Sequence, residues 1–76
     1  MSVTIDRIPI VLNGEEQQID SGMPLTALLR TLGKDPETVK GVAVAVNDEV
    51  VRRQRWADTI LQEGDRVEIV TATQGG

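Results

Sequence analysis

The sequence predicts an α+β fold, a mixed sheet of four to five strands packed on one main helix and followed by a flexible C-terminal tail. Three observations predict it. Apolar residues make up 39% of the chain, are dominated by Val, Ile and Leu, and include a single aromatic side chain, Trp56; β-branched residues fit a pleated, half-buried surface. One segment, Leu25 to Leu32, spaces its leucines as a helix does. The remaining apolar segments are short and bounded by Asn-Gly, Asn-Asp and Glu-Gly-Asp, the residues that tight turns demand.

Taken in order, residues 1 to 7 are weakly patterned, and Arg7 and Pro9 interrupt the alternation. This start reads as a frayed lead-in, since proline is tolerated only near a strand's beginning or on an edge. Ile10-Val11-Leu12, Asn13-Gly14 and Glu15 to Asp20 then form a β-hairpin, because both central residues of a type I′ turn need positive φ and Asn-Gly supplies them. Pro24 suits the first position of a helix, and Leu25, Leu28, Leu29 and Leu32 line one face at i, i+3, i+4 and i+7. Burying each of the four is worth roughly 1.5 to 3 kcal/mol. Met23 is a poor N-cap, so Ser21 or solvent is expected to satisfy the first amides incompletely. Gly33 closes the helix from the C′ position.

Lys34 to Gly41 is a connecting loop with room for a short helical turn. Val42 to Val46 is apolar at every position, as in a strand covered on both faces. Asn47-Asp48 turns the chain into Glu49-Val50-Val51, a polar stretch leads to Trp56, and Arg66 to Val70 is the last strand, with Val67 and Ile69 on one face. The expected division is residues 1-70 for the domain and 71-76 for the tail.

Composition excludes whole classes of function. Seventy-six residues make one small domain that buries roughly 60% of the surface its unfolded chain exposes. Cysteine and histidine are both absent. That removes disulfides, thiolate nucleophiles, the usual zinc sites and histidine acid/base chemistry, so a free-standing enzyme is not expected. The net charge of −4 argues against nucleic acid, whose phosphates need a clustered positive surface. No segment is long and apolar enough to cross a bilayer or to serve as a signal peptide, which makes no membrane association and a cytoplasmic location the expectation.

After Val70 come Thr71-Ala72-Thr73-Gln74-Gly75-Gly76, small or polar residues with nothing to anchor in a core. Six extended residues reach about 20 Å. Two glycines without Cβ atoms can enter a channel too narrow for any side chain, so what such a tail delivers is the Gly76 carboxylate. Chance alone places two glycines at a chain end about once in 200 sequences. The signal therefore gains its weight from the fold pattern and the site-poor composition.

Leu12-Asn13-Gly14, Leu25 to Leu32, Gly41 to Asn47, Trp56, Leu61, Gly64 to Val70 and Gln74-Gly75-Gly76 together resemble the β-grasp sulfur carriers, and within them the ThiS family of thiamine biosynthesis. The resemblance runs from about Ile10 onward. It implies a ubiquitin-like β-grasp sheet with first and last strands adjacent and parallel. It implies a carrier rather than a catalyst: Gly76 would be adenylated and converted to a thiocarboxylate that donates sulfur to the thiazole ring of thiamine, with Gly75 and Gln74 required in the tail. No cofactor would be bound by the chain itself, ATP being used by the activating partner. The implied partners are a ThiF-like adenylating enzyme, the thiazole synthase ThiG, and a cysteine desulfurase or other sulfur donor, the chain alone being a monomer. Met23, Arg52 and Thr73 depart from the family's usual Thr, Pro and Val. A molybdopterin-synthase small subunit and a ubiquitin-like protein modifier remain alternatives.

Other positions read more plainly. Trp56 is expected to cover the edge of a small core rather than anchor an interface. Arg52, Arg53 and Arg55 form a basic cluster best explained as a solvated loop. Glu15-Glu16 and Asp48-Glu49 have no third ligand or histidine beside them in sequence and are assigned no function.

Overall fold

A computed structural model describes residues 6–72. Five strands, β1 (Arg7–Leu12), β2 (Glu15–Asp20), β3 (Val42–Val46), β4 (Glu49–Val51) and β5 (Arg66–Thr71), and one α-helix, α1 (Leu25–Thr31), follow the expected order, with a single 3-10 turn at Arg53–Arg55 between β4 and β5. The sheet order is β2-β1-β5-β3-β4. β1 and β5 are adjacent and parallel, and the other neighbouring pairs are antiparallel.

The two hairpins form as their turn residues require. Asn13 and Gly14 have φ of 49° and 84°, and Asn47 and Asp48 have φ of 52° and 70°. β1 begins earlier than expected, running through Pro9, which pairs with Gln18. Backbone direction alternates along a strand, so Pro9 points the same way as Val11, whose N–H donates to Asp65 O on the side away from β2. The missing N–H of Pro9 therefore interrupts no bond to β2, and its carbonyl accepts from Gly64 N–H at 2.8 Å.

In α1, Pro24 is the N-cap residue, one position before the helix, and no side chain caps the end. Leu25 N–H instead donates to Thr59 O at 2.8 Å, and Pro24 and Ile60 form an isolated bridge. A distant segment thus satisfies the first amide, in place of the Ser21 or solvent expected from local sequence. At the other end Gly33 N–H donates to Arg30 O and Lys34 N–H to Leu29 O, the paired bonds of a Schellman motif that Gly33 permits at φ 81°. Gly33 closes the helix as expected, but the expectation of four core leucines is corrected. Leu25, Leu28 and Leu29 are buried, whereas Leu32, at the C-cap, is 41% exposed.

Residues 35 to 39 make a turn without helix, Asp35 O accepting from both Thr38 and Val39 N–H. The core lies between α1 and one face of the sheet: Ile10, Leu12, Ile19, Val44, Val67 and Ile69 from the strands meet the three leucines, with Trp56 and Leu61 closing the side. β3 is accordingly covered on one face only. Val44 is buried and Ala43 exposed, so the Val-Ala alternation marks an inner and an outer face where the apolar run suggested two inner ones. The middle of the sheet belongs to β5.

Trp56 is 2% exposed, and its Nε1–H donates to Val51 O at 2.9 Å, as expected of a core residue. No described helix is long and apolar enough to cross a membrane.

Candidate functional site

Gln74, Gly75 and Gly76, the residues expected to be required in the tail and modified at its end, lie outside the described residues, as does Thr73. What the structure positions is the segment leading to them. β5 is the middle strand, and it is fastened on both sides beyond the ordinary ladder.

On one side β1 ends at Leu12, so no backbone remains to pair with the later part of β5. The side chain of Asn13 takes over: its Oδ1 accepts from Ile69 N–H at 2.8 Å and its Nδ2 approaches Ile69 O at 3.4 Å. An amide side chain carries both a donor and an acceptor, so it can imitate a strand neighbour. On the other side Asn47 Oδ1 accepts from Arg66 N–H at 2.9 Å, Asn47 N–H donates to Arg66 O at 2.7 Å, and Asn47 Nδ2 donates to Asp65 Oδ1 at 3.0 Å. Both turn asparagines, read from sequence as conformational choices, also brace the strand before the tail.

β5 runs through Thr71, which pairs with Val42, one residue into the segment read as tail. Ala72 is tied as well, its N–H donating to Gly41 O at 2.6 Å. Gly41 has φ +71°, and a Cβ placed there would lie 3.3 Å from Ala72 O. A side chain at this position would combine left-handed backbone strain with crowding against the tail's base. Gly41 thus acts as a clasp. Its sequence signal was a glycine immediately before an apolar strand, which marks a close backbone approach as readily as a boundary.

The outer face of the sheet carries no second layer of described residues. Val70, 59% exposed, pairs with Ala43, and Val50, 77% exposed, pairs with Ala45, forming an apolar strip across β5, β3 and β4. Val50 and Val70 therefore stay exposed although valine is usually buried.

The remaining charged candidates do not converge. Asp48 pairs with Arg66 at 3.1 Å, and Glu15 and Glu16 are exposed on β2. Among the described residues no group of three or more acidic residues is placed to hold a metal. Arg53 is not free in the loop: its guanidinium donates to Val39 O and lies 5.1 Å from the centre of the Trp56 ring.

A five-stranded mixed sheet on one helix, with the last strand braced at its centre beside the first, defines a ubiquitin-like β-grasp domain. Comparison with known proteins narrows the class. Residues 10–76 match the model of the ThiS family. The sulfur carrier protein ThiS of Escherichia coli is 31% identical over 67 residues, covering 88% of this chain and 97% of that one. The sulfur carrier protein ThiS of Thermus thermophilus is 38% identical over 65 residues, covering 86% and 95%. A thiazole synthase of Paramagnetospirillum magneticum is 39% identical over 67 residues, but the chain spans only 20% of that protein. The crystal structure of a thiamine biosynthesis protein, ThiS, from Geobacter metallireducens superposes with a TM-score of 0.74 at 28% identity, covering 91% of this chain and all of that one. The chain belongs to the ThiS family, a family of sulfur carriers.

Proposed function

We propose that this chain carries sulfur for the thiazole ring of thiamine on the carboxyl group of Gly76. A carboxylate is a poor acyl donor, because its charge repels nucleophiles and oxide is a poor leaving group. Reaction with ATP on a ThiF-like adenylating enzyme joins the Gly76 carboxylate to AMP and releases pyrophosphate. A persulfide from a cysteine desulfurase or another sulfur donor then attacks the acyl carbon and expels AMP, giving an acyl-persulfide. A second thiol cleaves its S–S bond, leaving the thiocarboxylate on Gly76 and a disulfide on the donor side. The activating enzyme supplies phosphate binding and metal; this chain binds no cofactor and acts as substrate and carrier.

The observation that supports this best is the bracing of β5. Asn13, Asn47 and Gly41 fix the strand up to Ala72, so the four residues beyond leave from a defined point. Those four span at most about 14 Å fully extended, shorter than the reach expected of a six-residue tail. The two glycines at its end give the slenderness an enclosed site demands. The similarity of this chain to part of a thiazole synthase supports thiazole synthase ThiG as the acceptor, and family membership favours this pathway over molybdopterin synthesis or protein modification. The use of ATP and free thiols supports a cytoplasmic location.

Incubation of the chain with the adenylating enzyme, ATP, magnesium and a sulfur donor should yield a product heavier by the sulfur-for-oxygen difference, located at Gly76 by fragmentation mass spectrometry. Formation of neither that product nor an adenylate would overturn the proposal.

A further inference from the structure

Half of the chain's eight basic residues, Lys40, Arg52, Arg53 and Arg55, come from two segments that the fold brings together. The bond from Arg53 to Val39 O and its position over Trp56 fasten the Arg52 to Arg55 turn to the residues entering β3. Lys40 follows Val39 and precedes Gly41, whose carbonyl holds Ala72. Arg52 follows Val51, which pairs with Val44. All four are exposed. The basic residues thus occupy the corner from which the tail leaves.

Charge runs on a surface are usually just solvated, and two facts set this one apart. First, its ionic demand is unmet within the domain. Among the described residues the ion pairs are Arg7 with Asp20 and Arg66 with Asp48, while Glu37, the acidic residue nearest to Lys40 in sequence, borders a hollow shared with Arg30 and Lys34. The chain's net charge of −4 does not erase a local positive corner, because charges beyond about 8 to 10 Å are screened at physiological salt. Second, it lies beside the point from which the tail leaves. With Ala72 fastened, Gly76 lies no more than about 14 Å of chain away, so a protein that encloses Gly76 comes within reach of the residues beside Gly41.

We propose, resting on the activation of Gly76 set out above, that Lys40, Arg52 and Arg53 dock an acidic rim of the activating protein around the entrance to its nucleotide site. Protein carboxylates fit better than the nucleotide's phosphates, which would sit where Gly76 reacts, four residues of chain beyond Ala72. Arg53 is held by Trp56 and sets the corner's shape; Lys40 and Arg52 are the free charges. Rim charges of this kind act mainly on association rate and salt dependence.

The test uses the full chain and its adenylating enzyme. Affinity is measured by titration calorimetry at low and high salt, and adenylation by ATP–pyrophosphate exchange, for the wild type, Lys40→Glu/Arg52→Glu and the charge-conserving Lys40→Arg/Arg52→Lys. Thermal unfolding checks that each variant is folded. Reversal of both charges should weaken binding at low salt at least about tenfold and flatten its salt dependence, while the conserving variant matches the wild type. Equal affinity and salt dependence in the reversed variant overturn the docking corner while Gly76 adenylation stands. A raised KM for ATP with unchanged affinity for the carrier also overturns it, pointing to phosphate. Salt-sensitive wild-type binding without adenylate would overturn the function proposed above and leave the corner standing.

Discussion

Replacing Gly41 by Ala places two separable stresses on the base of the tail. The first is backbone: Gly41 sits at φ +71°, where an L-residue costs about 1 to 2 kcal/mol, less about 0.4 to 1 kcal/mol returned because alanine restricts the unfolded chain. The second is contact: the new Cβ would lie 3.3 Å from Ala72 O and 3.7 Å from Ala72 Cβ, in the same link whose N–H donates to Gly41 O. Losing that hydrogen bond costs about 0.5 to 1.5 kcal/mol. Gly22 isolates the first stress, since its φ is +83° but nothing lies within 4 Å of a Cβ built there. Gly41→Ala should therefore destabilise the domain by about 1 kcal/mol more than Gly22→Ala, a further fall of roughly 4 to 8 °C in Tm for a domain of this size. Amide hydrogen exchange should show Ala72 deprotected severalfold in the first variant and unchanged in the second. Equal Tm losses with unaltered protection at Ala72 would refute the clasp.

Asn13→Gly retains the positive φ of the turn but removes the acceptor for Ile69 N–H; urea unfolding should show a loss of about 1 to 2 kcal/mol, with faster exchange at the Ile69 amide. An unchanged Ile69 amide would reduce Asn13 to a turn former. Leu28, 3% exposed, and Leu32, 41% exposed, occupy the same helical stripe in sequence. Leu28→Ala should cost about 2 to 5 kcal/mol and Leu32→Ala about 1 kcal/mol or less, and comparable losses would contradict the placement of the helix end.

Much of this protein was legible locally. Asn13-Gly14 and Asn47-Asp48 demand positive φ wherever they occur, and the leucines from Leu25 mark a helix because the 3.6-residue period is a property of the segment itself. Gly33 ends that helix by the same logic. The chemistry proposed at Gly76 is also a matter of sequence, resting on a terminal carboxylate behind two small residues and a chain with no Cys or His. Tertiary structure decided which faces and ends found partners. Periodicity states that a face is apolar but not what covers it, so β3 looked doubly buried when only its valines turn inward. Pro9 looked disruptive until its missing N–H was found on the side away from β2. The helix's first amide goes to Thr59, and β5, the last strand in the chain, takes the middle of the sheet. Gly41 meets Ala72, and the turn carrying Arg52 and Arg53 meets Val39, across separations no local pattern encodes. The sequence by itself supplied the end at which the chemistry is proposed; the packing of distant segments supplied the anchored strand that leads toward it.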